Sequence, residues 1–210
     1  GPTRENIDPV RFISNYSSGK MGYALAEKAR DMGAEVIMIS GPVSLPPIPE
    51  VQMEYVESAD EMEKEMIRYA PAADYIFMAS AVSDYTPIEI SEKKIKRLSN
   101  HMVLQLKQSS DILKSISDKT NAIITAFALE THDGENEALR KLKSKDTDFI
   151  ILNYANEIGA GFESSTNRVI IFSKQGAKKE LKKNRKDRIA EEIIIYILEY
   201  LEQNKTVLNS

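Results

Sequence analysis

The sequence predicts an α/β fold: a mostly parallel sheet with helices on both faces. Apolar runs alternate with helix-length segments along the chain, and several of those runs are apolar at consecutive positions, as strands covered on both sides require. The strands are expected at EVIMIS (35–40), VQMEYV (51–56), DYIFMAS (74–80), NAIITAF (121–127), DFIILN (148–153) and RVIIFS (168–173). Between them, 20–32, 59–70, 110–117 and 135–145 read as helices, each opening near Ser, Asp or Asn. The last helix, 186–202, carries Ile189, Ile193, Ile194, Ile197, Leu198 and Leu201 on one stripe and is expected to act purely as scaffold. GPVSLPPIPE (41–50), with its four prolines, reads as an extended loop. The length favours one domain over 1–210. A Rossmann-like chain opens on a buried strand feeding its first glycine-rich loop. Here GPTRENIDPVRF reads as loop, so that first strand is expected to be absent from this chain.

Composition narrows the chemistry. Apolar residues at 42% and charged residues at 29% fit a soluble globular chain. A net charge of -4 supplies no basic footprint for nucleic acid, so any phosphate must be met by local lysines and arginines. The absence of cysteine removes disulfides, thiolate metal sites and a thiol nucleophile, and fits a cytoplasmic location. No apolar run approaches the roughly 20 residues of a membrane span. His101 and His132 are too far apart for metal-ligand spacing and read as surface or loop residues, so no protein-held metal is expected.

SNYSSGKMG (14–22) precedes a helical run and invites comparison with two phosphate loops. A P-loop needs G-x-x-x-x-G-K-[ST], but Ser14 stands where its first glycine belongs and Met21 replaces the hydroxyl residue. The dinucleotide fingerprint also fails: only Gly19 and Gly22 are present, and no acid follows EVIMIS until Glu50. Ser17, Ser18 and Gly19 at a helix N-terminus still suit an anion or a polar acyl group. SAVSDY (80–85) lies at the carboxyl edge of a strand, SEKKIKRL (91–98) concentrates cations, and Lys141 and Lys145 share one helix face. Together these describe a helix terminus, an acid and several lysines, the requirements of a nucleoside triphosphate.

GPTRENIDPVRFISNYSSGKMG, AVSDY (81–85), KIKR (94–97) and FALET (127–131) occur in this order over nearly the whole chain. The sequence thereby resembles phosphopantothenoylcysteine synthetase, the ligase domain of the bacterial bifunctional decarboxylase/ligase. The resemblance implies that CTP, 4'-phosphopantothenate and L-cysteine give phosphopantothenoylcysteine, CMP and pyrophosphate through an acyl-cytidylate. It implies catalytic roles for Asn15, at the acyl carbonyl, and for Lys94, on a flap beside the reacting phosphates. Arg11, offered by a partner subunit, would hold the substrate phosphate, with Ser80 and Ala81 also lining the substrate site. CTP contacts map to Met78, Ala79, Ser80, Asp84, Lys94, Ser110, Asp111, Ile112, Leu113, Phe127, Lys141 and Lys145.

By the same resemblance, magnesium would be held mainly through the CTP phosphates. The chain would be a homodimer, with a dimerisation and flap segment over about 86–108 that includes MVLQLK as a strand. A flavin-dependent decarboxylase domain would be its fused or assembled partner, with neither nucleic acid nor membrane involved. Lys20 is expected to point outward. Gln108-Ser109-Ser110-Asp111 stands where the family usually carries K-x-P-D, so one basic group is either lost or supplied by Lys107 from a different facing, and KIKR replaces the commoner KIKK. An NAD(P)-linked oxidoreductase and a silent nucleotide-binding module are the alternatives.

Overall fold

The computed structural model describes residues 1–97, 101–130, 133–154 and 166–208. The chain opens with a hairpin of β1 (Arg4–Asp8) and β2 (Arg11–Ser14), followed by α1 (Lys20–Asp31). Next come β3 (Ile37–Ser40), β4 (Gln52–Tyr55) and α2 (Ala59–Tyr69), the last started by a capping box in which Ser58 accepts from the Glu61 amide. β5 (Tyr75–Met78) is followed by a side arm of β6 (Tyr85–Pro87) paired with β7 (Leu106–Gln108), and then by α3 (Ile112–Ser117). The remainder is β8 (Ile123–Glu130), α4 (Gly134–Ser144), β9 (Phe149–Tyr154), β10 (Thr166–Ser173), β11 (Lys178–Arg185) and α5 (Lys186–Leu208).

The main sheet has five strands in the order β11-β10-β9-β8-β5. β5, β8 and β9 are parallel, and β10 and β11 run antiparallel to their neighbours, so the sheet is mixed. β3 and β4 form a separate parallel pair. The link between β10 and β11 spans only 174–177 and turns through Gly176 at φ 92°, too short for the crossover that a parallel pair would need.

Both faces of the sheet are covered. Along β9, Ile150 and Leu152 face the cluster with Leu113, Ile116, Ala138 and Leu142 from α3 and α4. Phe149 and Ile151 alternate to the other face, against Leu25 of α1 and Ile189, Ile193 and Ile197 of α5. That two-sided burial is why DFIILN reads as a continuous apolar run. The α5 stripe packs as its spacing requires, with Leu198 and Leu201 at its edge.

Two expectations change, and one strand lies where none was expected. GPTRENIDPVRF is not loop: residues 4–14 form an antiparallel hairpin, held by a ladder from Arg4–Ser14 to Asp8–Arg11. MVLQLK is strand only at its end, and β7 pairs within the chain, with Ile88 N–H donating to Gln105 O at 3.0 Å. KKELKKNR, outside every element expected from the sequence, is β11, an edge strand with Leu181 alone buried. His101 is exposed as expected; His132, and residues 98–100 of the expected flap, lie outside the described residues.

Candidate functional site

A cleft of about 730 Å³ opens at the carboxyl ends of β5, β8 and β9, where ligands bind in open α/β sheets. Its first wall is the loop 15–19 and the start of α1. Gly19 caps that helix at φ 72°, and a Cβ there would meet Val43 Cγ1 at 2.7 Å, so the turn admits glycine on both backbone and steric grounds. We expect Gly19→Ala to lower stability by about 1–3 kcal/mol, read by thermal melting, and to shift the cradle; an unchanged melting temperature would contradict this.

The loop is tied to the end of β5. Asn15 Nδ2 donates to Val82 O at 2.9 Å and to Ala81 O at 3.4 Å. Ser14 Oγ donates to Thr3 O at 2.7 Å, Thr3 Oγ1 accepts from the Ser83 amide at 3.0 Å, and Pro2 bridges Ala81 in parallel. Residues 1–3 therefore act as a splice between the Asn15 loop and the segment 78–84, which forms the second wall. The donors that the resemblance assigns to an acyl oxygen are engaged here by backbone carbonyls.

The third wall is 108–113 with Phe127 and α4. Ser110 Oγ donates to Glu63 Oε2 at 2.7 Å, Lys145 Nζ to Asp111 Oδ1 at 3.4 Å and Lys141 Nζ to Glu130 Oε1 at 2.6 Å. Both lysines thus present half-exposed ammonium groups to the cleft with a carboxylate beside each. Gln108 to Asp111 line it too, whereas Lys107 does not, so Lys107 does not replace the basic group of K-x-P-D in this arrangement.

The cleft unites Asn15, Met78, Ala79, Ser80, Ala81, Asp84, Ser110, Asp111, Ile112, Leu113, Phe127, Lys141 and Lys145. Arg11 and Lys94 are not among its lining. Arg11 is paired with Asp8, and Lys94 is exposed on the adjoining segment.

Other lining residues escaped the sequence reading. Lys20, expected to point outward, lines the cleft because α1 starts at its mouth. Lys186, the first residue of the helix read as pure scaffold, also lines it and is 9% exposed. Burial, with the Lys20 charge nearby, pushes the Lys186 ammonium below the usual lysine range. Asn153 and Asn167 complete the floor, and their Oδ1 atoms are buried without a hydrogen-bond partner among the described residues. Such acceptors suit a ligand N–H. A polar residue closing or opening an otherwise apolar strand was the available signal.

Asp84 and Asp111 are acids of the cleft, but among the described residues no three His, Cys, Asp or Glu side chains cluster as a metal site. Among the described residues, no helix is long and apolar enough to cross a membrane.

Residues 1–201 match the family described as DNA/pantothenate metabolism flavoprotein C-terminal domain. The chain is 47% identical over 184 residues to the coenzyme A biosynthesis bifunctional protein CoaBC of Bacillus subtilis, covering 86% of this chain and 45% of that protein. It is also 44% identical over 201 residues to a cysteine/cysteine sulfinic acid decarboxylase from an unknown prokaryotic organism, covering 94% of this chain and 56% of the relative. The chain thus spans about half the length of the curated relatives it matches. The solved C-terminal domain of a CoaBC protein superposes with a TM-score of 0.81 at 38% identity, covering 97% of this chain and 93% of that one. A Cab2 mutant complexed with phosphopantothenate-cysteine shares the fold at TM-score 0.78 and 18% identity, covering 100% of this chain and 87% of that one. With the family matched over residues 1–201 and the same fold in a CoaBC C-terminal domain, the chain belongs to the DNA/pantothenate metabolism flavoprotein C-terminal domain family.

Proposed function

We propose that this chain is a phosphopantothenate–cysteine ligase of coenzyme A biosynthesis that uses CTP. What carries the reading is the convergence, in a member of this family, of the Asn15–Gly19 loop with the 78–81 backbone, Phe127, the start of α3 and the Lys141 and Lys145 ammonium groups. In the first half-reaction the 4'-phosphopantothenate carboxylate oxygen attacks the α-phosphorus of CTP, and the bond to pyrophosphate breaks. In the second, the L-cysteine nitrogen attacks the acyl carbon, and CMP leaves with the former carboxylate oxygen. The cysteine ammonium gives up its protons to solvent or to the departing phosphate.

Each wall has a task in this scheme. Met78 to Ser80 and Asp84 face the nucleotide, with Phe127 and Ser110 to Leu113 opposite. Lys141 and Lys145 meet the triphosphate, which competes for them against Glu130 and Asp111. Ser80, Ala81 and Asn15 hold the acyl end, and the α1 N-terminus offers its amides to developing negative charge. Magnesium would arrive with CTP and offset triphosphate charge. Arg11 and Lys94 would complete the site from a second copy in a homodimer, for which the exposed Ile88, Ile90, Val103 and Leu106 around the β6–β7 arm supply apolar surface. A flavin-dependent decarboxylase domain in the same longer protein and a cytoplasmic location belong to the same proposal.

The test is pyrophosphate release with CTP or ATP, with and without phosphopantothenate and cysteine. Release with CTP that requires phosphopantothenate, and amide product only with cysteine, is expected; turnover with ATP alone, or none with either, contradicts the reading. Lys141→Met should raise the KM for CTP by roughly 10- to 100-fold, the effect of one lost charge-assisted hydrogen bond. A KM within twofold of the natural chain would remove Lys141 from the triphosphate site.

A further inference from the structure

Asp8 lies outside the cleft and is 2% exposed at the tip of the β1–β2 hairpin. Its Oδ1 accepts from the Val10 amide at 2.9 Å and the Arg11 amide at 3.0 Å, an arrangement that the hairpin tip alone explains. Its Oδ2 has a different set of partners. It accepts from Arg11 Nε at 2.9 Å, from Arg11 Nη2, and from the Ile95 amide at 3.1 Å, 87 residues away in sequence. Arg11 Nη2 donates in turn to Ile95 O at 2.6 Å. Both backbone groups of Ile95 are therefore gripped by one Asp–Arg pair, and Ser91 N–H to Ile7 O at 3.0 Å fixes the same segment further back.

The gripped N–H belongs to the peptide bond that joins Lys94 to Ile95. Held there, it fixes the backbone from which the exposed Lys94 side chain projects. The Arg11 side chain remains 40% exposed, and among the described residues no hydrogen bond engages its Nη1. Asp8 and Ile95 O thus occupy Nε and Nη2, while Nη1 stays open to an anion.

We propose that Asp8 is a positioning residue that locks Arg11 and the Lys94-bearing segment into one preformed cationic unit. A turn-stabilising role leaves the Oδ2 contacts without a purpose, since the hairpin tip needs only Oδ1. The acceptor must be a carboxylate: both of its oxygens accept, and an amide would turn its NH2 group toward either the hairpin amides or the Arg11 and Ile95 donors. Burial pushes the Asp8 carboxyl up, but the donors from Arg11, Val10 and Ile95 outweigh it and hold it down to about 2. The same donors that form the clamp therefore favour its ionised form.

What Arg11 and Lys94 do for catalysis rests on the ligase reading, whereas the clamp itself is open to a test that does not. Limited trypsin digestion of the intact chain, with cuts located by mass, reads the opening of residues 93–97. Asp8→Asn should speed cleavage after Lys94, Lys96 and Arg97 by roughly tenfold relative to cuts elsewhere, the effect of losing one hydrogen bond to a charged group. Arg11→Lys keeps the charge but loses the fork to Ile95, and should give a smaller increase at the same sites. Unchanged cleavage in both variants, or equal acceleration at every site, overturns the clamp.

A double-mutant cycle then separates positioning from folding. Asp8→Asn should slow CTP-dependent pyrophosphate release in the natural chain and by a smaller factor in a Lys94→Gln background, where only the part that acts through Arg11 is left. Additive losses overturn the coupling to Lys94. If even the natural chain releases no pyrophosphate, the ligase reading fails while the digestion still decides the clamp.

Discussion

Asn15→Asp is expected to lower cysteine-dependent amide formation by roughly 100- to 1,000-fold, the scale of losing a preorganised donor at a developing oxyanion. The geometry gives the substitution two effects. The natural amide donates to Val82 O and Ala81 O, which fastens the 15–19 loop to the end of β5. A carboxylate cannot donate, and it sets a negative charge against those carbonyls and against the phosphates expected in the cleft. In the proposed scheme the first half-reaction needs the loop only as a wall, while capture by cysteine needs a donor beside the acyl oxygen. Pyrophosphate release should therefore fall much less than amide formation, and acyl-cytidylate should accumulate. Rapid-quench analysis of both products checks this; equal losses would place Asn15 in loop structure alone, and normal amide formation would remove it from the mechanism.

Ile151→Ala should destabilise the fold by about 2–5 kcal/mol and lower the melting temperature by roughly 5–15 °C. Ile151 is fully buried in β9 and packs in the cluster shared by α1 and α5. Truncation removes the methyl groups that meet both helices, and the central strand cannot relax far because its neighbours β8 and β10 hold it in register. Those helices begin at Lys20 and Lys186, so a loosened cluster should also blunt the cleft floor. Ile195→Ala, at a 39% exposed position of α5, should change stability by less than about 0.5 kcal/mol. A destabilisation by Ile151→Ala no larger than that of the control would contradict the packing account.

The parts that sequence made legible are those in which burial itself writes the pattern. DFIILN and RVIIFS are apolar at successive positions because helices cover both faces of the sheet, and the α5 stripe repeats at helical spacing because one side packs. RENID and RFIS carry no such pattern. Their pairing depends on each other, on Thr3 and on the Asp8 contacts, none of which has a period. β11 was hidden for the opposite reason: seven of its eight residues are exposed, and only the ladder to β10 makes it a strand. In the cleft, the family resemblance pointed to Asn15, and strand-end position and helical spacing to Asp84 and Lys141, but Lys20 and Lys186 belong to helix starts far apart in sequence that only the fold brings together. Asn153 and Asn167 sat inside strands and looked like strand ends.

The central claim is that the substrate carboxylate attacks the α-phosphorus of a cytidine nucleotide. The direct measurement uses 4'-phosphopantothenate carrying ¹⁸O in its carboxylate, incubated with the chain, CTP, magnesium and cysteine, with mass analysis of the products. The account predicts one labelled oxygen in each CMP released per amide formed, and none in pyrophosphate. Label in orthophosphate, with CDP as the nucleotide product, would mean activation as an acyl phosphate and would contradict it.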